Sequence, residues 1–174
     1  MRAKSILLRG AGLAVVAANV VIVGCSSSSS QLDAQDAIAQ AKAGECLSCE
    51  LPGADLSGQN LKAAKLNRAN LSNAQLVGVD LSNALLDSAD FQGADLSNAN
   101  LTGAALTAAN LAGATLKGAD LSGAYLRGAN LSDTDLTDAN LSSADLTETN
   151  LDSAILDGAT LEDALLPEGF VPPN

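Results

Sequence analysis

Through most of this chain a leucine recurs at every fifth position, two places after an alanine; residues 94–106 read ADLSNANLTGAAL. Five is the period of neither regular backbone. An α-helix turns about 100° per residue, so a five-residue step spreads the leucines over every face. In an extended strand five is odd, and successive leucines point to opposite sides. A chain that turns the same corner every five residues, however, sends each leucine, and each alanine two before it, toward one axis. The pattern predicts a solenoid.

The period holds from Leu51 to Leu166, in 24 units of which 23 centre on Leu and one on Phe91. Alanine stands two places before the centre in 19 of them; Cys49, Gln59, Val79, Thr134 and Thr149 are the exceptions. Small residues at this place imply backbones that pass close together. The place just before the centre is often Asp or Asn, as in Asp95, Asn100, Asn130 and Asn140, and the place two after is often Gly, Asn or Ser. These are turn-forming residues.

The signature closely resembles the A-(D/N)-L-x-x repeat of the pentapeptide-repeat family, over residues 49–168. The resemblance implies an all-β fold: a right-handed quadrilateral β-helix with four units to a coil, about six coils in all. Leucines and small residues would fill its shaft. At about 4.8 Å per stacked layer the rod would be about 28 Å long. Its ends need covers. Gln31–Glu45 is Ala-rich and predicts a short N-terminal capping helix, so 31–48 reads as cap and C-x-x-C junction. Pro167, Gly169, Pro172 and Pro173 stop the pattern, 169–174 forms a tail, and Phe170 is expected across the last coil.

Residues 1–24 have the layout of an export signal: Arg2, Lys4 and Arg9, then an apolar stretch from Ala11 to Val23. That stretch is shorter than the ~20 residues of a permanent span. It ends in Ile22-Val23-Gly24-Cys25, which resembles the lipobox of bacterial lipoproteins. The resemblance implies cleavage after Gly24 and acylation of Cys25, and hence a membrane partner reached through that lipid. Ile22 stands where the family usually has Leu. Ser26–Ser30 then reads as a flexible tether, 25–30 with the cysteine. The expected location is a bacterial cell membrane or outer membrane, facing periplasm or exterior, or a thylakoid lumen in a cyanobacterium. The alternative is cleavage near Ala17 or Ala18 and release of a soluble protein.

Composition narrows the chemistry. There is no His and no Trp, and aromatics make up 2%. Without His no Ser-His or Cys-His nucleophilic arrangement can be built, so an enzyme is not expected, and neither is a cofactor. The net charge is −11. Removing the leader leaves 6 basic against 20 acidic residues, a net charge of −14. Such a chain repels nucleic acid, and direct binding to it is not expected. From Leu131 onward there are ten acidic residues and no Lys or Arg. This acidic end reads as a solvated surface, as a docking surface for a basic partner, or as a weak cation site at Asp133, Asp135 and Asp138. An EF-hand is excluded, because the sixth place holds no Gly and the twelfth is Ala144.

Cys46 and Cys49 frame Cys46-Leu47-Ser48-Cys49 just before the repeats. A structural disulfide, free thiols and a thioredoxin-like redox pair are all open, although no βαβ pattern accompanies the motif. Pentapeptide proteins of cyanobacterial and plastid-lumen type look similar here, with two cysteines leading into the first repeat.

With four units per coil, positions 20 apart stack. One outward column then reads Lys65, Leu85, Ala105, Tyr125, Asp145, Leu165, so Leu85, Ala105 and Tyr125 form an apolar stripe for a protein partner or a homodimer. Asn110, Asn130 and Asn150 form an asparagine ladder that reads as structural. The whole predicts an exported, lipid-anchored, non-catalytic scaffold or protein-binding module. Two alternatives stand beside it: a minor redox or cation-binding role, and a DNA-mimicking regulator of a type II topoisomerase, since some pentapeptide-repeat proteins resemble a DNA duplex in width and charge.

Overall fold

The computed structural model describes residues 39–40, 46 and 48–172. The leader, Cys25 and the serine tether lie outside the described residues, as does most of the predicted capping segment. Within that segment Ala39 and Gln40 are helical.

Each repeat builds one corner. In Leu101-Thr102-Gly103-Ala104 the Ala104 N–H donates to the Leu101 carbonyl at 3.0 Å, and Gly103 has φ 64°. A positive φ at the third residue alone makes this a type II turn. The same bond and the same sign recur at nearly every corner, including those where Ala63, Arg68, Asn73 or Asp133 holds the third place. A side chain in this left-handed region costs of order 1 kcal/mol. It persists because both flanks are held by bonds to the neighbouring coils.

Those bonds set the register. The Asn100 N–H donates back to the Val79 carbonyl at 2.9 Å, and the Leu101 N–H donates forward to the Asp120 carbonyl at 2.7 Å. Parallel bridges therefore join residues 20 apart, from Glu50↔Asn70 to Asp145↔Leu165, in four columns. Four five-residue units make one coil. No described segment is an extended strand in the ordinary sense, because two of every five residues are spent turning and only one per side is left to pair. The β-structure consists of ladders one residue wide.

The core follows from the same geometry. Every central residue from Leu51 to Leu151 is buried, including Phe91, and most of the alanines two places before are buried with them. The exceptions to alanine are accommodated individually. Val79 is buried, and the buried Thr134 hydroxyl donates to the Leu111 carbonyl at 2.8 Å.

The structure corrects the start of the array. Cys46 lies five residues before Leu51 and is fully buried in the central place, with Ser48 at φ 60° in the corner. The Ser48 N–H donates to the Asn67 carbonyl at 3.0 Å, so the winding begins one unit earlier than the leucines announce.

One corner departs from the rule. Leu151–Ser153 is a 3₁₀ turn. Here the Asn150 side chain replaces its own carbonyl, its Oδ1 accepting the Leu131 N–H at 2.6 Å, while the Ser153 N–H donates to the Asn150 carbonyl at 3.2 Å. Beyond this point Leu156, Leu161 and Leu166 are only half-buried. Phe170 is likewise partly buried against the core.

Candidate functional site

The outer surface is built from the residue before each centre. At most Asp and Asn positions the side-chain Oδ1 accepts the N–H two residues on, as Asn100 does from Thr102 at 3.1 Å and Asp120 from Ser122 at 3.0 Å. This Asx turn fixes the corner and explains why the place prefers Asp or Asn. Where Ser or Thr follows the centre, its hydroxyl can donate to the same oxygen, as Ser97 does to Asp95 at 2.6 Å. These donors hold several carboxyls below their ordinary pKa: Asp55 and Asp80 mainly through the backbone N–H of Ser57 and Ser82, and Asp135 and Asp145 mainly through the hydroxyls of Thr137 and Thr147. At Asp120 partial burial works upward, and the bonds from Ser122, Thr102 and Asn140 outweigh it.

On one face the column is polar and cross-linked. Asn110 Nδ2 donates to Asp90 at 2.9 Å, Asn130 to Asn110 at 3.1 Å, and Asn150 to Asn130 at 3.1 Å. The side-chain amides thus repeat the backbone ladder, which is a structural use.

A different face carries Lys65, Leu85, Ala105, Tyr125, Asp145 and Leu165, joined in that order by parallel bridges. Tyr125 is 58% exposed and Leu85 39%, with the small Ala105 between them. The backbone beneath is held by bonds on both sides, so the stripe is an ordered apolar surface rather than a loop. It is flanked by Arg68 and Asp87, which with Ser48, Asn67 and Ser88 line an open recess of about 380 Å³. Lower on the face Arg127 pairs with Glu148 at 2.5 Å. That pair eluded sequence reasoning, though stacking at intervals of 20 sets Arg127 on Thr147, the chain neighbour of Glu148.

The structure does not bring Asp133, Asp135 and Asp138 together as a cation site. Asp133 and Asp138 occupy left-handed corner positions of successive units, whereas Asp135 sits on a bridge and pairs with Lys117 at 3.0 Å. Among the described residues no three His, Cys, Asp or Glu side chains converge as metal ligands. Cys46 and Cys49 are joined by a disulfide, with Cα atoms 5.3 Å apart. They occupy the inward places that Leu and Ala hold elsewhere, so the bridge spans the first corner from inside the shaft. The spacing of Cys46 from Leu51 was the available signal for this. Cys25 lies outside the described residues.

The comparisons follow the repeat. The family model for pentapeptide repeats matches in 8 copies, over residues 48–76, 64–103, 104–142 and 129–167. Among solved structures, a pentapeptide repeat protein from the thylakoid lumen of Arabidopsis thaliana is 31% identical, with a TM-score of 0.31, and the match covers 66% of this chain and 62% of that one. One from the cyanobacterium Cyanothece 51142 is 34% identical over 70% of this chain and 90% of its own, with a TM-score of 0.27. HetL, involved in heterocyst differentiation regulation in the cyanobacterium Nostoc sp. strain PCC 7120, is 24% identical over 82% of this chain and all of its own, with a TM-score of 0.30. No curated protein matches. With its 20-residue coils and the family model matched across residues 48–167, the chain belongs to the pentapeptide-repeat family.

Proposed function

We propose that this protein is an exported, lipid-anchored scaffold, a right-handed β-helix of six coils that binds another protein through its outer surface and performs no reaction of its own. The observation that carries the docking role is the stripe of Leu85, Ala105 and Tyr125. Inward places are filled by Leu, Ala and a disulfide, and most outward Asp and Asn residues are engaged in Asx turns or ladders. This stripe interrupts that polar surface with apolar side chains on three successive coils. The lipobox-like Ile22-Val23-Gly24-Cys25 supports anchoring, and the serine run after it supports display at a distance from the lipid.

The charge distribution favours docking over mimicry of a nucleic acid duplex. A duplex presents phosphate charge at every layer. Here Lys65 and Arg68 lie toward one end, and Lys117 and Arg127 each neutralise a carboxylate in the next coil.

The test is capture from membranes with the anchored protein as bait and Tyr125→Asp as its comparison. The reading expects partners that the variant fails to recover. Equal recovery by both removes the stripe as the contact.

A further inference from the structure

The docking face has an internal symmetry. Three outward columns run along it over five coils: Lys65, Leu85, Ala105, Tyr125, Asp145, continuing to Leu165 beyond them; then Asn67, Asp87, Thr107, Arg127, Thr147; then Arg68, Ser88, Ala108, Gly128, Glu148. In each column the charged residues change sign about the middle member. Lys65 and Asp145 lie equally far from Ala105, two coils either way, and carry opposite charge. Asp87 and Arg127 do the same about Thr107, one coil either way, and Arg68 and Glu148 do so about Ala108. Leu85 and Tyr125, the two large apolar side chains, are matched about Ala105. The middle members Ala105, Thr107 and Ala108 are all small.

We propose that this face binds a second copy of the same chain, antiparallel, about a two-fold axis that lies in the interface and crosses the coil of Ala105–Ala108. Such an axis reverses the stacking direction while keeping each column opposite itself. One operation therefore makes all the pairs: Lys65 meets the second copy's Asp145, Arg68 its Glu148, Asp87 its Arg127 and Leu85 its Tyr125, each twice by symmetry. Arg127 exchanges its bond to Glu148 in its own chain for the opposing Asp87, which frees Glu148 for the opposing Arg68. Among the described residues Lys65 and Arg68 have no carboxylate partner within the chain. The small residues on the axis let the two surfaces approach. The axis also falls at the midpoint of the array, since Leu106 is as far from Cys46 as from Leu166.

An axis through the coil of Thr115 or of Asn100 fails on the faces that carry them. Inverting the column of Asp95, Thr115 and Asp135 about Thr115 sets Asp95 against Asp135, and inverting that of Asp80, Asn100 and Asp120 about Asn100 sets Asp80 against Asp120. Like charges then oppose each other, which destabilises association.

The five coils involved span about 19 Å. A face this small lies at the low end of protein interfaces, and exposed ion pairs are individually weak and screened by salt. The dimer is therefore weak and salt-sensitive. It rests on the reading of this face as a docking surface and names its occupant.

The full chain in mild detergent tests it, by sedimentation and by a short bis-maleimide linker. Ala105→Cys, on the axis, is expected to cross-link to itself, and Gln75→Cys on another face is not. Leu85→Cys is expected to link to Tyr125→Cys in a mixture of the two chains. Lys65→Glu with Arg68→Glu weakens the dimer about tenfold, and adding Asp145→Lys with Glu148→Lys to that same chain restores it. A monomer at high protein concentration and low salt overturns the proposal, as does equal cross-linking from Gln75→Cys or no restoration by the charge exchange. If the monomer still captures another protein through Tyr125, the dimer falls and the docking reading stands; loss of both results ends both.

Discussion

At the scale of single residues the corner positions carry the sharpest expectations. Gly93 has φ 66°, and a Cβ there would lie 2.8 Å from Asn73 Oδ1 on the preceding coil. Gly113 has nearly the same φ, 65°, with no atom within 4 Å of such a Cβ. Both Gly→Ala changes bear the strain of a left-handed side chain, about 1 kcal/mol. The atom met at Gly93 is the free end of the exposed Asn73 side chain, which can turn aside, so the two variants are expected to lose similar stability in denaturant. A much larger loss at Gly93 would show that Asn73 is held in place. The Asx turns give a second expectation. Asp55, Asp80, Asp120, Asp135 and Asp145 have folded pKa values below the ordinary Asp value of about 3.9. Their contribution is present above that value and is lost as pH falls through it toward the lower folded values. Stability measured from pH 6 down to pH 2 is expected to decline there, and replacing these five by Asn, which keeps the acceptor oxygen, is expected to flatten the decline.

At the scale of the coil, burial decides which leucines matter. Leu101 is 1% exposed, and Leu101→Ala is expected to cost about 2–5 kcal/mol. Leu161 in the last coil is half-buried and should cost much less. Denaturant unfolding of the two variants checks the order. The disulfide closes a very short loop, so reducing Cys46–Cys49 is expected to lower stability by about 2 kcal/mol or less. The winding itself was legible in the sequence, because a period of five excludes helix and strand and leaves one way to hide the leucines. The first unit was not, since a cysteine stands at its centre and only the interval to Leu51 betrays it. The 3₁₀ turn at Leu151 was also hidden. Leu151 keeps the period, and the break arises because an Asn side chain can imitate the carbonyl it displaces. Asp133, Asp135 and Asp138 are close in sequence but fall on a corner, a bridge and another corner, so proximity along the chain did not become a site.

At the scale of the whole molecule the fold supplies straight columns at fixed spacing, and function on such a frame depends on which column is left unpartnered. A stripe 20 residues apart was readable once four units per coil were assumed; the charge inversion beside it needed the turn residues placed on the same face. Anchoring belongs to this scale too. Cys25→Ser is expected to move the protein from the membrane to the soluble fraction, checked by fractionation and by the mass of the mature amino terminus. The docking claim is tested most directly by placing a photoreactive phenylalanine analogue at Tyr125 in cells and, separately, at Thr115 on the opposite face. The account predicts a protein adduct on illumination from position 125 and none from position 115. Adducts of equal yield from both positions, or none from position 125, would contradict it.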